Sequence, residues 1–448
     1  MKRDDFRPPV WLNDGLQESH PTLRRINDTF ILKASKWSNE TWTWTVGKNY
    51  TKPQKHGFSP KKDRGRKKHS PFLPRPVRAN GTRGAKKQTW QTWPLSWNAG
   101  TRINEMQVVG THNSYHVPLV GKELSQLKRH RGRWWNLQYS HLPLDQQLKR
   151  QQVRSLELDV RPDPWGGRFA IPYISTLTPK WQSSDNRLFG PGSKVLHIPD
   201  IDYRSNCVLF TDCLLHIRNY LDNHPAPVPI IVLLEARDSH PLYLPVFATV
   251  PSRKTWMPDL YDALEHEIRS VFLPDRLLTP DMVRMEGLTL EQSILWRGWP
   301  TVQSARGRVM FVVDGFGESR RAYLKHRPNL EGRLMFTVSK PGKADCTFLK
   351  INNPKNVGHI RSLVKKGYLV RTRADKPVST VLKCSTKRRT QAFESGAHIV
   401  STDFPVWGTS KRWRGCDYAV RLPGGKTAHC NPVSAKPGCH DDDFREDP

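Results

Sequence analysis

Eight short runs of β-forming residues lie between residues 105 and 403, and no other feature constrains the fold as strongly. They are EMQVVG (105–110), VRSLELDV (153–160), KVLHI (194–198), VPIIVLLE (228–235), RVMFVVD (308–314), RLMFTVS (333–339), YLVRTR (368–373) and HIVSTD (398–403). Several are continuously apolar, as parallel strands covered on both faces must be. Helical patterns fall between them: 144–152 precedes the second run, 207–224 the fourth, 260–272 the fifth, and 354–366 and 385–396 the last two. Strand–helix alternation repeated eight times is the signature of an α/β fold closed into a (β/α)8 TIM-like barrel. The second-to-third connection has no helical pattern, so the expected barrel is irregular, with one loop crossover there.

A barrel places its chemistry at the C-terminal ends of its strands. The first run leads directly into VGTHNSYH (109–116), which puts His112 and Asn113 on that rim. In SLELDV, Glu157 and Asp159 are two apart and share one face, with Leu156 and Leu158 on the other. The third run carries His197 and the fourth ends in Glu235. Two like charges turned into a barrel mouth repel and are desolvated unless a cation lies between them. Asn113, Glu157, Asp159 and Glu235 offer only oxygen, which suits Ca2+ first and Mg2+ or Mn2+ second. That leaves His112 and His197 free for proton transfer beside a divalent cation, a combination suited to phosphodiester cleavage. Any one of these residues alone is more simply read as a salt-bridge partner or strand cap; six of them at four successive strand ends are not.

Charge and composition bear on partners. The chain of 448 residues has 72 Lys and Arg against 41 Asp and Glu, a net charge of +31, which attracts polyanions such as an anionic membrane surface or nucleic acid. Residues 1–100 hold 21 basic and 7 acidic residues, no cysteine, and the run KKDRGRKKH (61–69), and read as a basic, largely disordered extension. Within it TWTWTV (41–46) alternates with period two, which allows a short strand or docking segment. No apolar run is long enough to span a bilayer.

The motifs GTHNSYH, SLELDV, KVLHIPDIDYRS, VLLEARD, GYLVRTRAD and GAHIVSTDFP, in this order and spacing, resemble the calcium-dependent phosphatidylinositol-specific phospholipase C family, in its compact microbial form. The resemblance covers roughly residues 102–440. It implies attack of the inositol 2-hydroxyl on the adjacent phosphorus, releasing diacylglycerol and inositol (cyclic) phosphate. By the same resemblance His112 and His197 are the catalytic pair, with His112 stabilising the phosphorane and protonating the leaving group. Asn113, Glu157, Asp159 and Glu235 are the calcium ligands, and the general base lies open between Glu235 and His197. Arg371 and Arg373 share a face at the end of the seventh run and could grip phosphate or inositol hydroxyls, or form barrel salt bridges. Asp200 and Asp202 could orient a histidine or form turns.

Where the chain departs from the family, it does so in basic and aromatic ways. KRHRGRWWNLQY (128–139) and PLYLPVFATVPSRKTW (241–256) follow the first and fourth runs, and Trp134 and Trp135 suit a membrane interface or ordinary rim packing. The expected partner is a phosphatidylinositol or related anionic membrane surface met peripherally by a monomer, with no specific nucleic acid. Residues 101–408 are the expected barrel and 409–448 a cysteine-containing tail packed on it. Seven cysteines, all after residue 206, and four N-x-S/T sequons at Asn27, Asn39, Asn49 and Asn80 favour secretion, although MKRDDFRPPVWLND lacks the apolar core of a signal peptide. Two rivals remain: another metal-dependent phosphodiesterase of glycerophosphodiester or sphingomyelin type, and a non-catalytic basic lipid- or nucleic-acid-binding protein. The strand-one THNSYH argues against the first, where an HRG-like motif is typical.

Overall fold

The structure, a computed structural model, describes the backbone of residues 23–26, 29–33 and 41–45, and residues 94–446 apart from 131, 179–184, 225, 237–257, 316 and 414–415. The basic run at 61–69, the loop at 241–256 and the four sequon asparagines therefore lie outside the described residues. In the N-terminal unit three strands, β1 (Leu23–Ile26), β2 (Thr29–Lys33) and β3 (Thr41–Thr45), pair antiparallel in sequence order. The alternating TWTWT is β3, as period-two patterning requires.

The larger unit is a closed barrel of eight parallel strands: β4 (Met106–Thr111), β5 (Ser155–Arg161), β7 (Ile230–Ala236), β8 (Val309–Asp314), β9 (Phe336–Val338), β10 (Cys346–Lys350), β11 (Leu369–Arg373) and β12 (Ile399–Thr402). Parallel pairing runs around the ring from β5 to β12 and on to β4. The ring shuts where Gly110 of β4 meets Ser155 of β5. Glycine is required at that seam: a Cβ on Gly110 would lie 2.9 Å from Ser155 Cβ and 3.0 Å from Ile399 Cγ2. Side chains complete what the short seam leaves undone, since Ser114 Oγ accepts from the Glu157 backbone amide at 2.9 Å and Ser114 N donates to the Glu157 carbonyl.

Helices at Leu144–Arg150, Phe210–Asn223, Pro258–Val271, Val357–Lys365 and Lys387–Glu394 cover the outside, close to the spans the periodicity predicts. Leu156, Leu158 and Val160 of β5 are fully buried against this layer, each contributing about 1.5–3 kcal/mol by burial.

Two assignments from the sequence need correcting. KVLHI is not a barrel strand: only Lys194–Val195, β6, is extended, and it pairs antiparallel with the end of β5. The missing barrel strand is β10, and its connection to β9 is the one without a helix, so the loop crossover joins the fifth and sixth barrel strands. The C-terminal segment packs on the barrel. Its strand β13 (Ala428–Cys430) lies antiparallel to β4, and Glu446 pairs with the buried Arg154. Disulfides join Cys207 to Cys213, Cys384 to Cys416 and Cys430 to Cys439, leaving Cys346 buried within β10 as the odd thiol. Such bonds persist where the surroundings are oxidising.

Candidate active site

Lateral register brings the acids together. Asp159 of β5 is level with Glu235 of β7, and Glu235 with Asp314 of β8, so three carboxylates stand side by side at the C-terminal rim. Glu157 lies two residues earlier on the same face of β5. All four are buried. Burial raises the pKa of Glu157 and of Asp314, against the pull of nearby cations, and Glu235 adds to the rise in both.

Asn113 joins them from the turn after β4. It adopts φ 45°, a left-handed conformation that asparagine tolerates better than most side chains. Its Nδ2 donates to the Tyr139 hydroxyl at 2.8 Å, which leaves Oδ1 buried without a hydrogen bond among the described residues. An amide oxygen held this way and three carboxylates form a hard, oxygen-only donor set, and its chemistry fits calcium. One protein cation already stands among the acids. The Lys350 ammonium, at the end of β10, bonds Glu235, lies 2.6 Å from Asp314 Oδ2 and 3.6 Å from Glu157 Oε1. The Arg371 guanidinium holds the other oxygen of Glu157, with Asn352 and Ser401 as its further partners.

Each histidine of the expected pair rests on a buried aspartate. His112 Nδ1 is 3.0 Å from Asp403 Oδ1, just past β12. Its Nε2 is 3.1 Å from Arg373 Nη1, and Arg373 also donates to Asp403 Oδ2 at 2.6 Å. A guanidinium only donates, so His112 Nε2 is an acceptor and the ring is neutral with its proton on Nδ1. Burial, then Arg373 and Arg371, hold the His112 pKa well below the ordinary range, and His197 contributes in the same direction.

His197 reaches the site from the irregular stretch after β6, not from a barrel strand. Arg161, the last residue of β5, grips its carbonyl at 2.7 Å. The following loop folds back through paired backbone bonds between Ile198 and Asp202, which brings Asp202 Oδ2 to 2.7 Å from His197 Nδ1. Of the two loop aspartates, Asp202 thus meets the histidine, while Asp200 accepts from the Tyr173 amide and serves the turn. Arg371 and Arg373 both reach the site, engaged with its acids and with His112. Trp134 and Trp135 sit in a short 3-10 turn, half-buried, with Lys128 over the Trp134 ring at 4.6 Å.

The family described as "Phosphoinositide phospholipase C, Ca2+-dependent" matches residues 101–432, three quarters of the chain. The chain belongs to this family. It is an enzyme, a phosphoric diester hydrolase of phospholipase C type, with Ca2+ as its cofactor. Among solved structures, it is similar to a calcium-dependent phosphoinositol-specific phospholipase C from the Gram-negative bacterium Pseudomonas sp., at 15% identity over 75% of this chain and 96% of that one, with a TM-score of 0.46. It is also similar to a Ca2+-dependent phosphatidylinositol-specific phospholipase C from Streptomyces antibioticus, at 16% identity over 68% and 96%, with a TM-score of 0.44. No curated protein matches.

Sequence reasoning passed over five residues that the structure brings to the candidate site: Lys350, Asp314, Asp403, Tyr139 and His116. Two carried a signal, because Asp314 and Asp403 close the runs RVMFVVD and HIVSTD at strand ends.

Proposed function

We propose that this phospholipase cleaves the glycerol–phosphate ester of phosphatidylinositol, with His112 and His197 as the catalytic pair and Asn113, Glu157, Asp159 and Glu235 as the calcium ligands. The observation that carries this reading is the matched pair of imidazoles, each with Nδ1 on a buried carboxylate, beside one cluster of oxygen donors. In the reaction, the inositol 2-hydroxyl oxygen bonds to phosphorus and the bond from phosphorus to the glycerol oxygen breaks. The hydroxyl proton goes to an enzyme base, and a second proton goes to the departing oxygen, giving diacylglycerol and inositol 1,2-cyclic phosphate. Bound calcium supplies charge neutralisation at the phosphate and a lowered pKa at the attacking hydroxyl.

The resting geometry favours His112 as the acceptor, because its Nε2 already accepts from Arg373. His197, with Nδ1 on Asp202, can then carry the proton for the leaving oxygen on Nε2. This reverses the role that family resemblance implies for His112. Glu235, bonded to Lys350, is less free to act as base. An incoming phosphate would draw Arg373 and Arg371 toward itself.

Substrate access is peripheral in this reading; no helix among the described residues is long and apolar enough to cross a membrane. Three large apolar side chains following barrel strands are well exposed: Trp165 in the turn after β5, Leu382 at the end of the short helix after β11 and Trp407 in the turn after β12. They suit insertion into a bilayer interface, with the chain's positive charge drawing the mouth face to anionic lipid. The test is purified protein with vesicles of phosphatidylinositol mixed with sphingomyelin, in the presence of a soluble glycerophosphodiester, with calcium and with excess chelator. Cyclic inositol phosphate should form only with calcium; full turnover in chelator, or products confined to phosphocholine or glycerol phosphate, would overturn the proposal.

A further inference from the structure

Behind His197 lies a third histidine that the reaction above does not use. His116 has no exposed surface. Its ring stacks on Tyr139 at 4.1 Å between centroids, and stands edge-on to His197 at 6.2 Å. Both of its nitrogens are engaged. Nδ1 lies 3.0 Å from the Tyr139 carbonyl, which can only accept, so Nδ1 carries a proton. Nε2 lies 2.9 and 3.0 Å from the two oxygens of Asp202.

Asp202 is the same carboxylate that receives His197 Nδ1, and it too is fully buried. Burial works to raise its pKa, but His116 and then His197 outweigh this and hold it at about 2. An ionised carboxylate only accepts, so each imidazole donates to it. His197 then has one nitrogen left for chemistry, Nε2. Besides Asp202 and Tyr139, the charged or titratable groups facing His116 are His197, His141 and, farther off, Asp403.

We propose that His116 is a positioning residue: it pins Asp202 from behind, so that Asp202 fixes His197 with Nδ1 protonated and Nε2 presented to the substrate. Without His116, one carboxylate oxygen would lose its donor, and Asp202 could rotate about its side-chain torsions within the loop Ile198–Asp202. A buried carboxylate with half its partners gone is also costly in its ionised form. Gln in place of His116 can still donate from its amide toward Asp202, whereas Phe keeps the ring and its stacking on Tyr139 but donates nothing.

This inference rests on the proposed role of His197, and a double-mutant cycle separates the two. The variants are His116→Phe, His116→Gln, His197→Ala and the pair His116→Phe with His197→Ala, assayed on a soluble short-chain phosphatidylinositol, with calcium affinity measured by calorimetry. His116→Phe should lower kcat about 10–100-fold, the usual cost of losing an outer partner that orients a working imidazole. KM and calcium affinity should stay near wild type, and His116→Gln should recover most of the loss. Once His197 is Ala, adding His116→Phe should cost nothing further. Losses that multiply in the double variant, or a wild-type kcat in His116→Phe, would overturn the positioning role. A wild-type rate in His197→Ala would instead overturn the reading of His197 itself. Should His116→Phe fail to fold, the same cycle run with His116→Leu, which also donates nothing to Asp202, decides: its loss of kcat must vanish in the His197→Ala background.

Discussion

Replacing Lys350 by Met should make the enzyme bind calcium more tightly and depend on it more for stability. The ammonium bonds Glu235, stands 2.6 Å from Asp314 Oδ2 and 3.6 Å from Glu157 Oε1, in a buried cluster where Arg371 is the other cation holding Glu157. A calcium ion taking Glu235 and Glu157 as ligands must take them from this lysine. The charge-assisted bond it gives up is worth about 1.5–3 kcal/mol. At about 1.4 kcal/mol per tenfold, Lys350→Met should bind calcium roughly 10–150-fold more tightly. Without calcium the same substitution leaves Glu235 and Asp314 short of a partner, at a cost of about 3–5 kcal/mol. A domain of this size then unfolds roughly 4–7 °C lower in chelator, and much of the loss returns in saturating calcium. The measurements are calorimetric titration with Ca2+ and thermal unfolding of both proteins with and without chelator. A variant that binds calcium no more tightly than wild type, and is destabilised equally in both buffers, would show that ion and ammonium occupy separate places.

Five further outcomes are expected. His112→Ala and His197→Ala should each lose about 10²–10⁴-fold in turnover of a soluble substrate while still binding calcium, and a wild-type rate in either removes that residue from the mechanism. Trp165→Ala with Trp407→Ala should lower turnover on anionic vesicles at every ionic strength, because apolar transfer resists salt, and should spare the soluble substrate. Trp134→Ala with Trp135→Ala, half-buried side chains, should instead affect both substrates if they are rim packing, and removing residues 1–69 should weaken vesicle binding mainly at low salt. Asp202, held at about 2 against an ordinary 3.8, contributes stability above pH 3.8 that is lost as pH falls through 2, about 2 kcal/mol in all. Asp202→Asn should flatten that part of the acid-unfolding curve, and an unchanged curve would mean the carboxylate is not depressed.

Much of the rim was legible because a barrel turns sequence order into spatial order. GTHNSYH could be placed at a strand end, and Glu157 with Asp159 on one face, from period and position alone. The motif's remaining residues prove to be the mechanical parts of the mouth. Thr111 bonds Ser114 and Gln147, Ser114 ties the turn to β5, and His116 backs Asp202. KVLHI misled because a short apolar run looks the same whether it enters a barrel or makes a two-residue antiparallel arm. Its His197 still reached the mouth, carried there by the Asp202 loop instead of a strand.

The cost of that one misreading falls on Lys350. Counting KVLHI as a strand while omitting CTFLK (346–350) still gives eight strands, so the fold comes out right and the omission leaves no trace in the count. Every strand-end residue named as a site candidate was acidic, amide, imidazole or guanidinium; the one ammonium that ends a described strand of the ring was lost with its strand. Yet electrostatics required a cation there. Glu157, Asp159, Glu235 and Asp314 cannot be buried together on one rim without positive charge beside them. Arg371 answers Glu157, and the other acids call for a basic residue at the end of a strand that points into the mouth. Among the described strands of the ring, β5 ends in Arg161, β10 in Lys350 and β11 in Arg373; Arg161 is committed to the His197 carbonyl, and Arg373 to Asp403 and His112. A charge balance over the rim therefore points to the omitted strand, where counting strands alone does not.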